Sequence, residues 1–192
     1  MPSERFSTTP VLETGRLLLR GLEDGDVDAL YEVNADPQVA RYLPRPAMRA
    51  REEAVAMLER CRRYVAEGTG LTWGVALKPE GRVIGTVVLF DFNEQCAYAQ
   101  TGYVLGRAHW GRGLMHEAMT RLVEHAFGAM DLRRLEADVD PRNLASLRVV
   151  ERLGFVREGL LRERWVVEGE ISDSVVLGLL RREWAARTSQ AR

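Results

Sequence analysis

Two glycines set two residues apart mark the segment of this sequence that is best suited to bind a ligand. An apolar, strand-like run stops at Gly106, a loop with Gly111 and Gly113 follows, and residues 114–127 have the pattern of a helix. Free N–H groups at the start of a helix, together with the helix dipole, favour a bound anion. Glycine also lets the chain turn tightly and lets a phosphate approach the backbone. The segment is therefore predicted to bind an anionic group.

Neither of the two common phosphate-binding signatures fits this loop. A P-loop requires Lys and then Ser or Thr after its last glycine, and neither follows Gly113. The dinucleotide-binding signature requires a third glycine, which residues 117–119 lack. The alternative interpretation is an ordinary loop that leads into an ordinary helix.

A second group of polar residues opens a later helix, expected at residues 143–153. Asn143 and Ser146 are three residues apart, so they share one face and one end of that helix. Asn is among the best helix N-caps. A purely local alternative is therefore that Asn143 caps the helix and Ser146 is its N3 partner.

The composition excludes several classes of protein. The chain has 192 residues, is 46% hydrophobic and carries a net charge of −1, which suits one globular domain without a nucleic-acid partner. Residues 1–5 lack the apolar core of a signal peptide, and no apolar run is long enough to span a bilayer. The expected location is the cytoplasm. Cys61, Cys96 and three scattered histidines offer no metal-ligand spacing.

Strand-like and helical patterns follow one another in an order that predicts a mixed sheet. Helices are expected at residues 26–34, 49–66, 114–127 and 143–153. Strands are expected at residues 16–20, 71–77, 82–92, 96–105, 134–139, 156–167 and 174–180, with a polar tail at residues 181–192. The spacing predicts one parallel crossover in the middle and antiparallel pairing at both ends.

The chain resembles a known family in two separate motifs. Residues 143–159 are similar to the N-x-x-S…L-G-F-x-x-E-G stretch of the GCN5-related N-acetyltransferases, the GNAT family. More narrowly, they resemble the ribosomal-protein alanine N-acetyltransferases of the RimJ and RimL type. Residues 110–115, W-G-R-G-L-M, then correspond to the loop that binds the pyrophosphate of acyl-CoA in that family. Residues 84–86, 102–105 and 173–184 match its central and closing strands.

The resemblance implies a fold, a reaction and a co-substrate. The fold is a mixed, mostly antiparallel α/β sheet with one central parallel β-α-β crossover and helices on both faces. Residues 1–192 would form a single acetyltransferase domain, with its core at residues 11–184 and tails at residues 1–10 and 185–192. The reaction moves an acetyl group from acetyl-CoA to a primary amine by direct attack in a ternary complex. No metal ion is implied, and the enzyme would be a monomer or a homodimer.

The resemblance also implies roles for individual residues. Ser146 is expected to protonate the leaving CoA thiolate, and the backbone N–H of Val104 or Leu105 is expected to bind the thioester oxyanion. Glu163 is a reserve general base. The residues expected to contact acetyl-CoA are Val104, Leu105, Trp110, Gly111, Arg112, Gly113, Leu114, Met115, Asn143, Ser146 and Arg148.

One departure from the family pattern bears on the acceptor. Many relatives carry a carboxylate two residues before a Gly-Tyr pair, where this chain has Gln100, and Gln cannot accept a proton at neutral pH. An α-amino group has a pKa of about 7.7–8.0 and a Lys side chain about 10.4, so the α-amine needs less help from a base. The expected acceptor is therefore the N-terminal α-amine of a protein or peptide.

Two alternatives stay open for the function. The acceptor is a small amine or an antibiotic, or the chain is an acyl-CoA sensor without turnover, which Gln100 would favour. The acceptor cleft is expected between residues 35–48 and the last hairpin. There an acidic groove for a basic protein tail would contain Asp36, Glu168, Glu170 and Asp173.

Overall fold

The computed structural model describes residues 8–190, so the outermost parts of both predicted tails, residues 1–7 and 191–192, lie outside the described residues. The strands are Leu12–Glu13 (β1), Leu17–Arg20 (β2), Gly70–Leu77 (β3), Val83–Asn93 (β4), Tyr98–Leu105 (β5), Arg134–Val139 (β6), Val156–Val167 (β7) and Glu170–Leu180 (β8). The α-helices are Val27–Ala35 (α1), Pro37–Ala40 (α2), Arg51–Glu67 (α3), Leu114–Phe127 (α4), Leu144–Leu153 (α5) and Arg181–Gln190 (α6).

All of these strands belong to one sheet, in the order β1-β2-β3-β4-β5-β6-β8-β7. β5 and β6 are parallel and are joined through α4, whereas the other neighbouring pairs are antiparallel. A parallel pair needs such a crossover connection, because a short turn can only reverse the chain. The predicted mixed sheet with one central parallel crossover is confirmed.

Helices cover both faces of the sheet and bury two hydrophobic clusters. The larger cluster lies under α4 and α5 and includes Trp73, Leu122 and Leu135, all fully buried. The smaller cluster includes Leu30 of α1 and Leu58 of α3. Full burial of one large apolar side chain contributes about 1.5–3 kcal/mol, so the two clusters hold the strand ends firmly in place.

The sheet opens between its two central strands. β5 pairs with β4 as far as Leu105, but it pairs with β6 only from Tyr98 to Thr101. β6 continues along β8 up to the pair of Val139 and Val175. In the part of the chain that the structure describes, the last part of β5 therefore has one edge with no strand beside it.

The prediction of a polar tail at residues 181–192 is wrong, because Arg181–Gln190 form α6. Trp184 packs against the larger cluster, and Arg187 Nη2 donates a hydrogen bond to the Arg152 carbonyl at 3.0 Å. Docking of one large apolar side chain outweighs the polar composition of the segment. The sequence patterns also miss the short elements β1 and α2, and they start β8 at residue 174 instead of Glu170.

Candidate functional site

A cleft of about 1880 Å³ opens where β5 and β6 separate. One half, called here the amide half, is lined by the end of β5, the glycine loop and the first turns of α5. The other half, called here the arginine half, is lined by residues 37–47, by one side of α3 and by side chains of β4 and β6. The end of β5 joins the two halves, so groups bound in each would meet there.

The glycine loop presents a run of main-chain N–H groups. Gly111 and Gly113 both have φ of 73°, a left-handed conformation that favours glycine. Within residues 8–190 the amides of residues 111–116 have no hydrogen-bond partner, and the first bond of α4 runs from the Glu117 amide to the Gly113 carbonyl at 3.1 Å. The side chains of Leu114 and Met115 are buried in the core. These two residues therefore offer only their backbone to a ligand.

Ion pairs and hydrogen bonds from the start of the chain hold this loop. Arg16 Nε donates to Glu117 Oε2 at 2.7 Å, and Arg16 Nη1 donates to the Arg112 carbonyl at 3.0 Å. Thr14 Oγ1 donates to Glu117 Oε1 at 2.6 Å. Burial alone would raise the pKa of the Glu117 carboxyl, but the hydrogen bonds from Thr14 and Arg16 outweigh it, so this pKa lies below its usual value. The loop is thus fixed before any ligand binds.

The ladder between β4 and β5 decides which amide at the end of β5 is available. The Gly106 amide donates to the Ile84 carbonyl at 2.8 Å. Because bonded and non-bonded pairs alternate in an antiparallel ladder, the Val104 amide points to β4 and the Leu105 amide points to the open edge. Trp110 Nε1 donates to the Leu105 carbonyl at 2.7 Å, which agrees with that orientation. Val104 and Leu105 are the two residues expected to donate a backbone N–H to the thioester oxyanion. The N–H of Val104 is directed at β4 in the ladder, so Leu105 remains the candidate.

The structure brings Ser146 together with a residue that the sequence did not single out. Asn143 Oδ1 accepts from the Ser146 amide at 3.1 Å, so the predicted local N-cap is present. The Tyr103 hydroxyl donates to the Ser146 carbonyl at 3.0 Å and lies 2.7 Å from Ser146 Oγ. Burial raises the pKa of Tyr103 to about 12, although the Ser146 hydrogen bond lowers it in part. Tyr103 therefore keeps its proton at neutral pH.

A half-buried carboxylate lies in the cleft just beyond the last paired residues of β5 and β6. Burial raises the pKa of Asp138, against the lowering effects of the Trp165 indole N–H at 3.5 Å and of Arg164. On the neighbouring strand, Gln100 Nε2 donates to Asp91 Oδ2 at 2.8 Å, so Gln100 acts here as a donor. Asp138 is thus a carboxyl group of the cleft whose affinity for a proton is enhanced.

Sequence reasoning misses Asp138, although the pattern of β6 contains a signal for it. In R-L-E-A-D-V the apolar residues Leu135, Ala137 and Val139 are buried in the larger cluster, and the polar residues alternate with them. Asp138 is the last polar residue of this strand, at its carboxyl end. Ligand sites gather where parallel strands end and diverge, so the position could have been singled out from the alternation.

Three other predicted site residues are exposed, and only one of them lines the cleft. Glu163, the reserve general base, is exposed and lies outside the cleft lining. The Arg112 side chain is exposed, lies 3.4 Å from His109 Nδ1 and is also outside the lining. Arg148 is exposed and does line the amide half. Of the two predicted arginines, only Arg148 faces the cleft.

The expected acidic groove is not present, because each of its four acids has a partner within the chain. The partners are the Arg107 guanidinium for Asp36 at 2.8 Å, Arg49 for Glu168 at 2.5 Å, Arg142 for Glu170 at 2.5 Å and the Glu163 amide for Asp173 at 2.8 Å. Three of these carboxylates are thus paired with arginines, and only Asp173, whose partner is a neutral amide, keeps free negative charge.

Two further observations concern only residues 8–190. No helix in this part of the chain is both long and apolar enough to cross a bilayer. No three or more His, Cys, Asp or Glu side chains in it are grouped so that they could hold a metal ion. The chemical groups that line the cleft include main-chain amides, hydroxyls, arginines and carboxylates, among them the half-buried Asp138.

Comparison with known proteins identifies the family. The model described as "Acetyltransferase (GNAT) domain" matches residues 16–156. Over 174 residues the chain is 34% identical to the uncharacterized N-acetyltransferase p20 of Bacillus licheniformis, covering 91% of this chain and 98% of that protein. Over 181 residues it is 26% identical to the ribosomal protein uS5-alanine N-acetyltransferase of Escherichia coli, covering 90% and 92%.

A solved structure shares the fold at lower identity. The spermidine N-acetyltransferase of Vibrio cholerae, in complex with CoA and spermine, superposes with a TM-score of 0.79 at 22% identity, covering 90% of this chain and 99% of that one. The family match spans well over half of the chain, and the p20 relative spans nearly all of it. The chain therefore belongs to the GNAT family and is an N-acetyltransferase that uses acetyl-CoA.

Proposed function

We propose that this enzyme acetylates the N-terminal α-amine of a protein or peptide by direct attack in a ternary complex, and that it belongs to the RimJ and RimL-type branch of its family. One observation carries the proposal: a run of free amides, an open strand edge and the Tyr103–Ser146 pair line the same cleft. The similarity to the uS5-alanine N-acetyltransferase over 90% of the chain supports the branch.

The amide half of the cleft fits a diphosphate followed by a pantetheine arm. The amides of residues 111–116 supply donors for phosphate oxygens, and the start of α4 adds the positive end of its dipole. Asn143 Oδ1 is taken by the Ser146 amide, so Asn143 offers its Nδ2 group to a pantetheine carbonyl. Arg148 adds an exposed positive charge to the same half. The thioester then lies beside the open edge of β5.

The Leu105 amide is the proposed donor to the carbonyl oxygen as negative charge develops on it. This N–H lies on the edge of β5 that no strand occupies. A donor of this kind typically contributes about 2.7–4 kcal/mol to lowering the barrier. Correct alignment of amine and thioester contributes more, roughly 7–11 kcal/mol. The cleft therefore acts mainly by positioning two substrates and secondarily by stabilising charge.

Asp138 is the proposed general base in place of Gln100. Its raised pKa makes it a better proton acceptor than an ordinary carboxylate. An α-ammonium group, with a pKa of about 7.7–8.0, requires far less help to lose its proton than a Lys side chain at about 10.4. A single moderately basic carboxylate is therefore sufficient for an α-amine acceptor, which supports that substrate class.

Ser146 is the proposed donor to the departing thiolate. As the amine nitrogen forms its bond to the acetyl carbon, the carbon–sulfur bond breaks and the sulfur takes up negative charge. Ser146 Oγ lies at the first turn of α5, where the helix dipole also favours an anion. Tyr103 holds this hydroxyl at 2.7 Å. Ser146 regains a proton from solvent and Asp138 releases to solvent the proton that it took from the amine, so the protons balance over the whole turnover.

The test is a thiol-release assay with purified enzyme, acetyl-CoA and a panel of amines. The panel contains peptides with a free α-amine, the same peptides with a blocked N-terminus and one internal Lys, and small amines such as spermidine. The proposal predicts release of thiol only with free α-amine peptides, with the acetyl group found on the N-terminus by mass spectrometry. Turnover only with small amines would contradict it. Binding of acetyl-CoA without turnover on any amine would identify a sensor.

A further inference from the structure

The arginine half of the cleft carries positive charge that the chain itself does not neutralise. Arg41, Arg45 and Arg60 line it. Within residues 8–190 none of the three has a carboxylate oxygen within the 4.0 Å of an ion pair. Arg41 instead lies over the Tyr42 ring, 5.2 Å from its centroid. Arginines of a cleft that lack an acidic partner are available to an anionic ligand.

Arg45 is the most informative of the three. Its Nη2 donates to Asn34 Oδ1 at 2.5 Å, a neutral partner, and Asn34 is itself buried. Burial and the positive charge of Arg60 lower the pKa of Arg45, against the opposing effect of Glu53. Glu53 caps α3, where its Oε1 accepts from the Arg49 amide at 2.7 Å. The guanidinium groups of Arg45 and Arg60 are thus close enough to repel each other, and neither forms an ion pair with an acid in residues 8–190.

The carboxylates that line the cleft offset this charge only in part. Every one of them is already paired with another residue. The pairs are Asp91 with Gln100 at 2.8 Å, Asp138 with Arg164 at 3.7 Å, Asp140 with Arg142 at 2.6 Å, Glu168 with Arg49 at 2.5 Å and Glu170 with Arg142 at 2.5 Å. Gln100 is neutral, and Asp140 and Glu170 share Arg142, so these pairs leave two negative charges. The three charges of Arg41, Arg45 and Arg60 exceed them, and the unbalanced charge is positive.

We propose that the acceptor is an amine that carries a carboxylate, and that Arg45 and Arg60 bind this carboxylate. This proposal rests on the proposed function, so the carboxylate is an Asp or Glu side chain close to the acetylated N-terminus. The planar guanidinium fork suits a carboxylate and forms two parallel hydrogen bonds with it. A polyamine such as spermine would instead be repelled by these arginines. The arginine half thus selects acceptors by charge.

The first test compares three peptides that differ only at the second and third positions. Ala-Asp-Glu-Ala, Ala-Gln-Gln-Ala and Ala-Lys-Lys-Ala, all amidated at the C-terminus, are assayed for kcat/KM at saturating acetyl-CoA, with free glutamate as a small-molecule arm. Because charge-assisted hydrogen bonds are the strong ones, we expect about 10-fold higher kcat/KM for the acidic than for the neutral peptide. Equal values, or preference for the lysine peptide, would overturn the proposal while leaving peptide acetylation intact.

The second test changes the arginines. Arg60→Gln should raise KM for the acidic peptide about 10-fold and leave KM for acetyl-CoA unchanged. Arg60→Glu should reverse the preference toward the lysine peptide. Arg45→Lys keeps a positive charge beside Asn34 but loses the planar fork, and should weaken the preference partly. The matched control is Arg63→Gln, which removes an exposed arginine of α3 outside the cleft.

These outcomes separate the two proposals. Acetylation of glutamate alone, with the same dependence on Arg60, would support the carboxylate site and contradict a peptide acceptor. Acetylation of all three peptides with equal efficiency in the wild type and in Arg60→Glu would contradict the carboxylate site and support the peptide acceptor. An Arg63→Gln variant that loses the acidic preference as strongly as Arg60→Gln would show a general charge effect and would also overturn the site.

Discussion

In the proposed function, the two halves of the cleft recognise their ligands by different means. The amide half uses main-chain N–H groups of residues 111–116, held by glycines in left-handed conformations. The arginine half uses side chains from residues 37–47 and α3, which belong to no recognisable motif. Backbone recognition suits a co-substrate that never changes, whereas side chains let the acceptor vary without disturbing the fold. We therefore expect changes in the two halves to affect different kinetic constants.

The largest expected effect comes from Asp138, the proposed general base, which lies where the two halves of the cleft meet. Asp138→Asn should lower kcat about 100-fold, because general-base catalysis typically contributes that much or more. Burial raises the pKa of this carboxyl, so wild-type activity should fall as pH decreases through a pKa above the ordinary Asp value. The variant should lose that acidic limb of the pH profile, as measured by thiol release.

The matched control for this experiment is Glu136→Gln. Glu136 precedes Asp138 by two residues on the same strand, pairs with Arg134 and lies outside the cleft lining. It should keep wild-type kcat and the acidic limb. A wild-type pH profile in Asp138→Asn would show that another group is the general base, and it would contradict the role proposed for Asp138.

A smaller effect on kcat is expected from Ser146, the residue of the amide half that is proposed to donate to the leaving thiolate. Ser146→Ala should lower kcat about 30-fold while KM for acetyl-CoA changes little, because the donor acts mainly as charge develops on sulfur. Tyr103→Phe should lower kcat less, because the Ser146 hydroxyl, the proposed donor to the thiolate, is still present. Tyr98→Phe, on the same strand, is the control. An unchanged kcat in Ser146→Ala would reject Ser146 as the donor.

The next effect should appear in binding and not in turnover. In Gly113→Ala, the alanine would have to adopt a left-handed conformation, which costs an L-residue about 1–2 kcal/mol. The loop should therefore shift, and the Kd for CoA should rise roughly 10-fold. Gly81→Ala introduces the same strain at a φ of 73°, in the turn after β3. Calorimetry should show weaker CoA binding only for Gly113→Ala. Equal affinities would mean that the loop backbone does not contact the diphosphate.

The smallest effect should come from an exposed charge. Arg148→Gln should weaken CoA binding only about 3-fold, because exposed ion pairs contribute at most about 1 kcal/mol. The effect should shrink at high salt, since salt screens exposed charges. Titrations at low and high ionic strength measure it directly. A large loss of CoA affinity that salt does not reduce would mean that Arg148 makes a buried contact. Side-chain recognition would then also matter in the amide half.

The amide half could be predicted from the sequence because its signals are local. Gly111, Gly113, Asn143 and Ser146 lie within short motifs, and the order of strands and helices followed from spacing and turn residues. Which of the Val104 and Leu105 amides faces the open edge of β5 could be decided only from the register of β5 with β4. Register depends on a distant strand, so no motif could supply it.

The arginine half could not be predicted, because no motif marks its residues and their lack of acidic partners depends on the fold. The sequence contains many arginines, and nothing local distinguishes Arg45 and Arg60 from those paired with acids. Only the fold shows that the four acids of the expected groove are taken by partners. Tyr103 and α6 were missed for a related reason: their roles depend on contacts with Ser146 and with the larger cluster.

The proposed function depends most on the binding of a diphosphate by the amides of residues 111–116. Its most direct test compares acetyl-CoA with S-acetylpantetheine, which carries the same thioester but neither the diphosphate nor the nucleotide. Because several charge-assisted hydrogen bonds would be lost, we predict kcat/KM on the order of 100-fold lower for S-acetylpantetheine, nearly all in KM. Equal kcat/KM for the two thioesters would contradict the account.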